Sequence, residues 1–196
     1  MRVLVVYASA DGSTAEIGRR IAQHLRERGH DVSDQPVGSA ASFYGVDAVV
    51  LGSAVHSRQW LGEATKFVNT NRQTLHNRPF WIFSVGMPDA LPKAVRTIAR
   101  TEENGIIDQL GDLRPRGHRL FSGVVKPSQF PFASRIFLRL TGGRYGDFRD
   151  WAAIDGWALE IADQLDEAAT MADTARMPLD EEDDNRSQAG NARPPL

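Results

Sequence analysis

A group of hydroxyl-bearing and small residues near the amino end has the composition of a phosphate-binding loop. Residues 9–14 lie between an apolar run and a segment with helical periodicity. The free N–H groups and the positive dipole end at the start of a helix attract anions. Serine and threonine hydroxyls can donate to phosphate oxygens, and glycine permits unusual backbone angles. The residues predicted to hold a phosphate monoester are Ser9, Ala10, Asp11, Gly12, Ser13 and Thr14.

This loop differs from two other common phosphate-binding loops. It contains no lysine, so it cannot be the loop that binds nucleoside triphosphates through Gly-Lys-Ser/Thr. It also lacks the three spaced glycines of the dinucleotide fingerprint. An ordinary Ser/Thr helix cap is the alternative interpretation. Because a carboxylate repels phosphate, Asp11 is expected to serve the turn or a backbone N–H, with its side chain facing away.

Strands and helices alternate along the chain that follows. Apolar and β-branched runs predict five strands, at residues 3–7, 30–35, 48–53, 80–86 and 120–125. Helical periodicity predicts helices before Gly29 and at residues 60–70, about 91–110 and 151–167, the last with Asp150 as N-cap. This alternation indicates an α/β protein with a doubly wound five-stranded parallel sheet and helices on both faces. Ligands bind at the carboxyl ends of such strands, and the small-residue loops after Tyr7, Leu51 and Val85 lie there.

Composition and charge argue against several classes of site. The chain has no cysteine, which removes disulfides, thiolate nucleophiles and Cys-ligated metals. The net charge of −2 argues against nonspecific nucleic-acid binding. No metal site is predicted, because no histidine has ligand-like spacing with carboxylates, and no catalytic residue is assigned. The histidines expected to be solvated are His24, His30, His76 and His118.

Residues 1–170 are predicted to form one domain, followed by a disordered acidic tail at 171–196. Six of the 25 acidic residues and three of the 23 basic residues lie after Met171, which leaves 20 basic and 19 acidic residues in the body. No apolar run approaches the length of a membrane span, and the amino end lacks the pattern of a signal peptide. We therefore expect a cytoplasmic protein.

Residues 126–146 form an insert before the last helix. Within it, apolar residues between Phe132 and Leu140 recur on one helical face, and Arg135 and Arg139 lie on the other. This pattern predicts peripheral contact of residues 130–140 with a membrane at its inner face, a quinone or a bulky apolar substrate. A helix packed on the protein's own core is the alternative.

The loop Ser9-x-Asp11-Gly12-x-Thr14 after a first strand resembles the FMN-phosphate loop of flavodoxin-like proteins. Other segments resemble the menaquinone-dependent protoporphyrinogen oxidase branch of that family, over roughly residues 1–165. They are Gly52-Ser53-Ala54-Val55, the Phe67-Val68 helix, Phe83-Ser84-Val85, Thr141-Gly142-Gly143 and Asp150-Trp151.

The resemblance implies noncovalent FMN, with its phosphate on residues 9–14. The residues implied to flank the isoalloxazine ring are Ser53, Ala54, Val55, His56, Ser57, Ser84, Val85, Gly86 and Met87. The chain departs from the branch at residues 56–60, where a Tyr-containing basic loop is usual, and at Gly86, where Asn is expected. Trp60 is predicted either to cover the ring or to pack under the next helix, and Arg58 either to lie near the ring or to be solvated. Residues 53–61 contain no glycine that could turn a peptide toward flavin N5, which favours two-electron chemistry.

Three functions are compatible with these observations. The first is an FMN-dependent oxidoreductase of heme biosynthesis that passes electron pairs from a reduced substrate, such as protoporphyrinogen IX, to a quinone or another acceptor. The second is a soluble flavodoxin-type electron carrier. Such carriers use an acidic surface to dock basic partners, whereas the chain up to Met171 has a net charge near +1. The third is a non-enzymatic flavin-binding or interaction module.

Overall fold

The computed structural model describes residues 1–39, 43–90, 105–106, 110–129 and 143–176. In chain order the strands are β1 (Arg2–Ala8), β2 (Asp31–Pro36), β3 (Ala48–His56), β4 (Gln59–Trp60), β5 (Phe80–Gly86), β6 (Gly117–Ser122), β7 (Val124–Val125) and β8 (Gly146–Asp147). The helices are α1 (Ser13–Glu27), α2 (Gly62–Thr70), α3 (Arg72–His76) and α4 (Trp151–Arg176).

Five parallel strands run through the centre of the fold in the order β2-β1-β3-β5-β6. The short strand β4 adds to β3 in the antiparallel direction, and β7 and β8 form a separate two-stranded ribbon. The predicted α/β class and parallel sheet are confirmed. The chain steps outward from β1 to β2 and then crosses to β3 on the other side of β1. This change of direction opens a crevice at the carboxyl ends of β1 and β3.

Each face of the sheet is covered by its own apolar core. Alternate residues of β1 divide between the two faces, with Val3 and Val5 under α1 and α4, and Leu4 and Val6 on the opposite side. Because both faces of the sheet are buried at its centre, β1, β3 and β5 consist mainly of continuous apolar runs rather than alternating patterns. Gly52 of β3 leaves space for the Phe83 ring of β5, since a Cβ there would lie 2.0 Å from Cζ. The two cores hold the strand ends in fixed register.

Several predicted boundaries move. The strand predicted at 120–125 divides at Gly123, whose N–H binds Gly86 O while its own carbonyl accepts from Phe148 N–H, so β6 ends at Ser122. The strand predicted at 48–53 extends to His56, and the helix predicted from Trp60 begins at Gly62 because Trp60 belongs to β4. The second strand spans residues 31–36 rather than 30–35.

The last helix confirms its predicted start and runs further than expected. Asp150 Oδ1 accepts a hydrogen bond from Ala153 N–H at 3.0 Å, as an N-cap does. The helix continues to Arg176, past the predicted beginning of the tail at residue 171. Residues 177–196 lie outside the described residues, as do residues 130–142 of the insert and most of the predicted helix at 91–110.

Candidate functional site

The carboxyl ends of the central strands meet at one cleft. Ala8 pairs with Ser53, Ser53 pairs with Ser84, and Gly86 pairs with Ser122, so the loops that follow start at nearly one level. The cleft has a volume of about 500 Å³, within the range of small-molecule sites. It is lined by Ala10, Asp11, Ser13, Thr14, Ala54, Val55, His56, Ser57, Leu61, Val85, Gly86, Met87, Gly123, Val124, Val125 and Gln129.

The amino end of α1 forms one end of this cleft. Gly12 takes the N-cap position with φ 96°, and no side chain caps the helix. The alternative of an ordinary Ser/Thr cap is therefore not what the structure shows. Ser9 Oγ accepts from Gly12 N–H at 3.1 Å and so shapes the loop, while Ser13 and Thr14 line the cleft. An uncapped helix start at a cleft leaves N–H donors for an anion.

Asp11 also lies at this end, and its carboxylate has a side-chain partner. Gln129 Nε2 donates to Asp11 Oδ2 at 3.0 Å. The sequence predicts that Asp11 serves the turn or a backbone N–H and faces away, whereas in the structure its carboxylate accepts from the side-chain amide of Gln129, and both residues line the cleft. The difference arises because Gln129 is brought here from a distant part of the chain.

A tight hairpin between β3 and β4 forms a second wall. Val55 pairs with Trp60, and His56 pairs with Gln59, which leaves Ser57 and Arg58 as the two turn residues. Both have positive φ, 51° and 65°, as a type I′ turn requires. Residues other than Gly, Asn and Asp are uncommon in this conformation. The turn directs His56 and Ser57 to the cleft.

Two of the residues predicted to flank the ring are buried next to the hairpin. Ser53 and Ser84 are both fully buried and do not line the cleft. Ser53 Oγ accepts from Leu61 N–H at 3.1 Å, and Ser84 Oγ accepts from Trp60 Nε1 at 2.9 Å. Trp60 is 6% exposed and belongs to the core beside α2. Of its two predicted positions, the structure therefore shows the one in which it packs under the next helix.

The third wall was missed by the prediction and comes from the chain after β6. Val124 N–H donates to Ser13 Oγ at 3.1 Å, which joins this segment to the start of α1. A Cβ on Gly123 would lie 2.9 Å from Val85 Cγ1 and 3.3 Å from Ser13 Cβ, so the chain passes through a space that only glycine leaves open. In the sequence, Gly123 was the signal that could have revealed this wall, because it interrupts the apolar run at 120–125.

The ribbon that supports this wall is held by Arg149. Its guanidinium binds Asp147 of β8 through Nε and Nη2, at 2.9 and 2.6 Å, and also pairs with Glu16 of α1. It lies over the Trp151 ring with Cζ 4.6 Å from the centroid. The hydrogen bonds from Arg149 lower the pKa of the Asp147 carboxyl. These contacts connect the ribbon, α1 and α4 at one point.

The histidines are less solvated than expected. Burial, and then the charge of Arg119, lowers the pKa of His118 to about 4. Burial also lowers the pKa of His30, which is 7% exposed beside Asp166. His24 contacts Asp155 and Glu27, whereas His76 is exposed as predicted. These residues lie at helix and strand contacts that sequence spacing does not reveal.

Neither a metal site nor a membrane span is found among the residues that the structure describes. Within those ranges no group of three or more His, Cys, Asp or Glu side chains could hold a metal ion. No helix there is long and apolar enough to cross a bilayer. The predicted contact surface at residues 130–140 lies in a part of the chain outside the description.

The parallel sheet of order β2-β1-β3-β5-β6, with a cleft at its carboxyl ends, is the architecture of flavodoxin-like proteins. The flavodoxin domain family matches residues 4–144, and the chain belongs to that family. The chain is also 22% identical over 177 residues to the protoporphyrinogen IX dehydrogenase [quinone] of Escherichia coli K12. That match covers 85% of this chain and 97% of the relative.

Solved structures of flavodoxins share the fold. A flavodoxin from the domain Archaea superposes with a TM-score of 0.52 and 13% identity, over 85% of this chain and 99% of that one. A cysteine mutant of a Pseudomonas aeruginosa flavodoxin gives a TM-score of 0.53 and 14% identity, over 83% and 97% of the two chains.

Proposed function

We propose that this protein binds FMN noncovalently in the cleft and acts as an oxidoreductase. In this proposal it passes electron pairs from a reduced substrate to a quinone. The substrate class is that of protoporphyrinogen IX, which the name of the E. coli relative suggests. The flavin, when bound, would supply the electron-pair chemistry, and the protein would supply binding, orientation and electrostatics.

One observation supports the cofactor most strongly. The uncapped start of α1 opens into the same cleft as the apolar side chains of Val55, Val85 and Met87. An anion-binding end next to apolar walls suits a ligand that carries both a phosphate and a flat aromatic ring. The residues present therefore fit FMN. A simple phosphate site would not need the apolar walls.

Each wall would have a distinct task. Backbone N–H groups at the start of α1 and the hydroxyl of Thr14 would hold the phosphate, with Ser13 fixed by Val124. Val85 and Leu61 would exclude water from the ring. His56 and Ser57 are exposed at the mouth of the cleft, where they could contact an incoming substrate.

Flavin retention is the first test of this proposal. The purified chain is mixed with excess FMN, desalted and measured for flavin absorbance and fluorescence quenching. Retention of about one FMN per chain is expected. A folded preparation that keeps none would remove the cofactor and the electron chemistry together.

Turnover distinguishes the enzyme from the electron carrier. Anaerobic protoporphyrinogen IX is supplied with menaquinone, and the fluorescence of the porphyrin product is followed. FMN-dependent oxidation above the rate with free FMN is expected. A chain that binds FMN and exchanges electrons with redox proteins, yet oxidises no porphyrinogen, would instead be a flavodoxin-type carrier.

Contact of residues 130–140 with the membrane, where a quinone dissolves, is a further part of the proposal. Sedimentation with phospholipid vesicles tests it, using the full chain and a variant that lacks these residues. Loss of vesicle binding in the variant is expected. Equal binding by both chains would exclude this contact.

A further inference from the structure

We propose that Ser84 and His118 are positioning residues that hold the β3–β4 hairpin against the cleft through Trp60. This inference rests on the proposed function, because the hairpin forms the wall next to which the FMN ring is proposed to bind. Neither Ser84 nor His118 lines the cleft. Their effect on a ligand would therefore pass through the hairpin.

Three side chains form a continuous set of hydrogen bonds, which we call the Trp60–Ser84–His118 chain. Trp60 Nε1 lies 2.9 Å from Ser84 Oγ, and Ser84 Oγ lies 3.0 Å from His118 Nε2. An indole N–H can only donate, so Ser84 Oγ accepts from Trp60. The one proton of the Ser84 hydroxyl is then available to His118 Nε2. This arrangement satisfies both bonds with a neutral imidazole that accepts at Nε2.

The chain joins elements that are distant in sequence. Ser84 is on β5 and His118 on β6, and both strands are fixed in the parallel sheet. Trp60 is on β4, which is only two residues long and pairs with β3 alone. The indole bond therefore ties a marginal strand to the rigid centre of the fold. A two-residue strand has too few ladder bonds to hold its own position.

The hairpin has a specific need for this support. Ser57 and Arg58 both occupy the left-handed region, which is strained for residues other than Gly, Asn and Asp. Such strain persists only where surrounding contacts determine the conformation. Those contacts include the pairing of Val55 with Trp60, the bond from Leu61 N–H to Ser53 Oγ, and the Trp60–Ser84–His118 chain.

The main test measures the hairpin and the ligand separately. Ser84→Ala and His118→Ala remove two links of the hydrogen-bond chain. His118→Gln keeps an acceptor at nearly the same distance from the backbone. In the flavin-free protein, amide and indole hydrogen exchange report the hairpin, with the Trp60 indole signal identified through Trp60→Phe. FMN affinity is measured by fluorescence quenching.

Ser84→Ala and His118→Ala are expected to speed exchange at Trp60 Nε1 and at the Gln59 amide. Both should raise the Kd for FMN about five- to tenfold, as expected when a buried donor loses its acceptor. His118→Gln should restore the Kd to within about twofold of the unmutated protein. If Ser84→Ala does not fold, His118→Ala and His118→Gln still test the proposal. His118 is only half-buried, so its replacement should disturb folding less than replacement of the fully buried Ser84.

A matched control comes from a second indole hydrogen bond, which is part-buried. Trp81 Nε1 donates to Gln164 Oε1 at 3.2 Å on the opposite side of the sheet. Gln164→Ala should change exchange at the Trp81 indole and leave the FMN Kd unchanged. An equal loss of FMN affinity in this control would show a general stability effect and overturn the proposal.

Rescue of the turn tests the route of the effect. Asn-Gly is the preferred pair for a type I′ turn, so Ser57→Asn with Arg58→Gly should relieve the strain. Added to Ser84→Ala, this pair should recover most of the FMN affinity. Unchanged hairpin exchange in both Ser84→Ala and His118→Ala would refute the positioning role, even if the unmutated chain binds no FMN. A chain that binds no FMN but shows the faster exchange would refute only the proposed function.

Discussion

Gln129 donates a hydrogen bond from its side-chain amide to the Asp11 carboxylate, with 3.0 Å between Nε2 and Oδ2. The same nitrogen lies 3.3 Å from Val124 O, and Gln129 Oε1 accepts from Lys126 N–H at 2.7 Å. One amide thus connects the loop at residues 9–14 to the wall that follows β6. It also gives the carboxylate a donor next to the place where a phosphate is proposed to bind.

Removing this amide should weaken FMN binding. Gln129→Ala leaves the Asp11 carboxylate without the amide, so its repulsion of phosphate is less compensated, and the third wall loses its link to Asp11. We expect the Kd for FMN to rise about three- to tenfold, measured by flavin fluorescence titration. Gln73→Ala is the control, because Gln73 is on α3 and lines a second cleft, which shares no residue with the first. Equal Kd values for Gln129→Ala and the unmutated chain would contradict the assigned role.

The left-handed glycine at the start of α1 should matter for both stability and ligand binding. Gly12 has φ 96°, and Gly12→Ala should lower the free energy of unfolding by about 1 kcal/mol. It should also weaken FMN binding, because the N–H groups beside it would change direction. Urea unfolding and flavin titration measure the two effects.

Gly29 is the matched control for this change. It has φ 87° and open space around its Cβ position, and it lies at the other end of α1. Gly29→Ala should cost a similar free energy of unfolding and leave the Kd for FMN unchanged. If both variants weaken FMN equally, Gly12 acts through overall stability alone.

Stability should fall as the pH decreases from about 6.5 toward 4. The pKa of His118 falls to about 4 in the folded chain, mainly through burial, and burial also lowers the pKa of His30. The unfolded chain therefore binds more protons than the folded chain throughout this window. The stabilisation is complete above about pH 6.5 and is lost as the pH falls toward the folded pKa.

Urea unfolding at pH 7 and pH 5 measures this effect. His118 alone should account for a loss of about 1 kcal/mol between these values, after allowance for its partial exposure. His118→Gln, which does not titrate, should show a correspondingly smaller loss. A pH dependence identical to that of the unmutated protein would show that His118 does not titrate as assigned.

Arg149 should contribute more to stability than the exposed ion pairs. Its side chain is 11% exposed and has two carboxylate partners, one on β8 and one on α1. Arg149→Ala leaves Asp147 and Glu16 without a shared cation, so the free energy of unfolding should fall by about 2 kcal/mol. Thermal or urea unfolding at pH 7 measures the change.

The pair between Arg119 and Glu160 provides the comparison. Both side chains are about half exposed, and their closest atoms are 3.1 Å apart. Arg119→Ala should change the free energy of unfolding by about 0.5 kcal/mol or less. Similar losses for the two arginine variants would mean that the ribbon contact has no special role.

The positions of five strands, α1 and the last helix could be predicted because they depend on local patterns. The apolar run in β1 and the Asp150 cap are examples, and both are found where expected. The β3–β4 hairpin was harder to predict from the sequence, because Trp60 begins an apolar pattern that also fits a helix. Gly123 interrupts an otherwise continuous run, and the change of direction depends on Gly86 and Phe148, which are distant in the chain.

The sequence alone determined the approximate positions of the five parallel strands, of α1 and of the last helix, and that a loop of hydroxyl and small residues follows the first strand. It could not determine that Ser53 and Ser84 are buried rather than part of the cleft lining, since both faces of their strands are buried and no alternation of polar and apolar residues distinguishes one face from the other. Only the tertiary structure placed Gln129 beside Asp11 and His118 beside Ser84. Those contacts join residues 118 and 34 positions apart, and they exist because the register of the sheet and the path after β6 bring separate strands together.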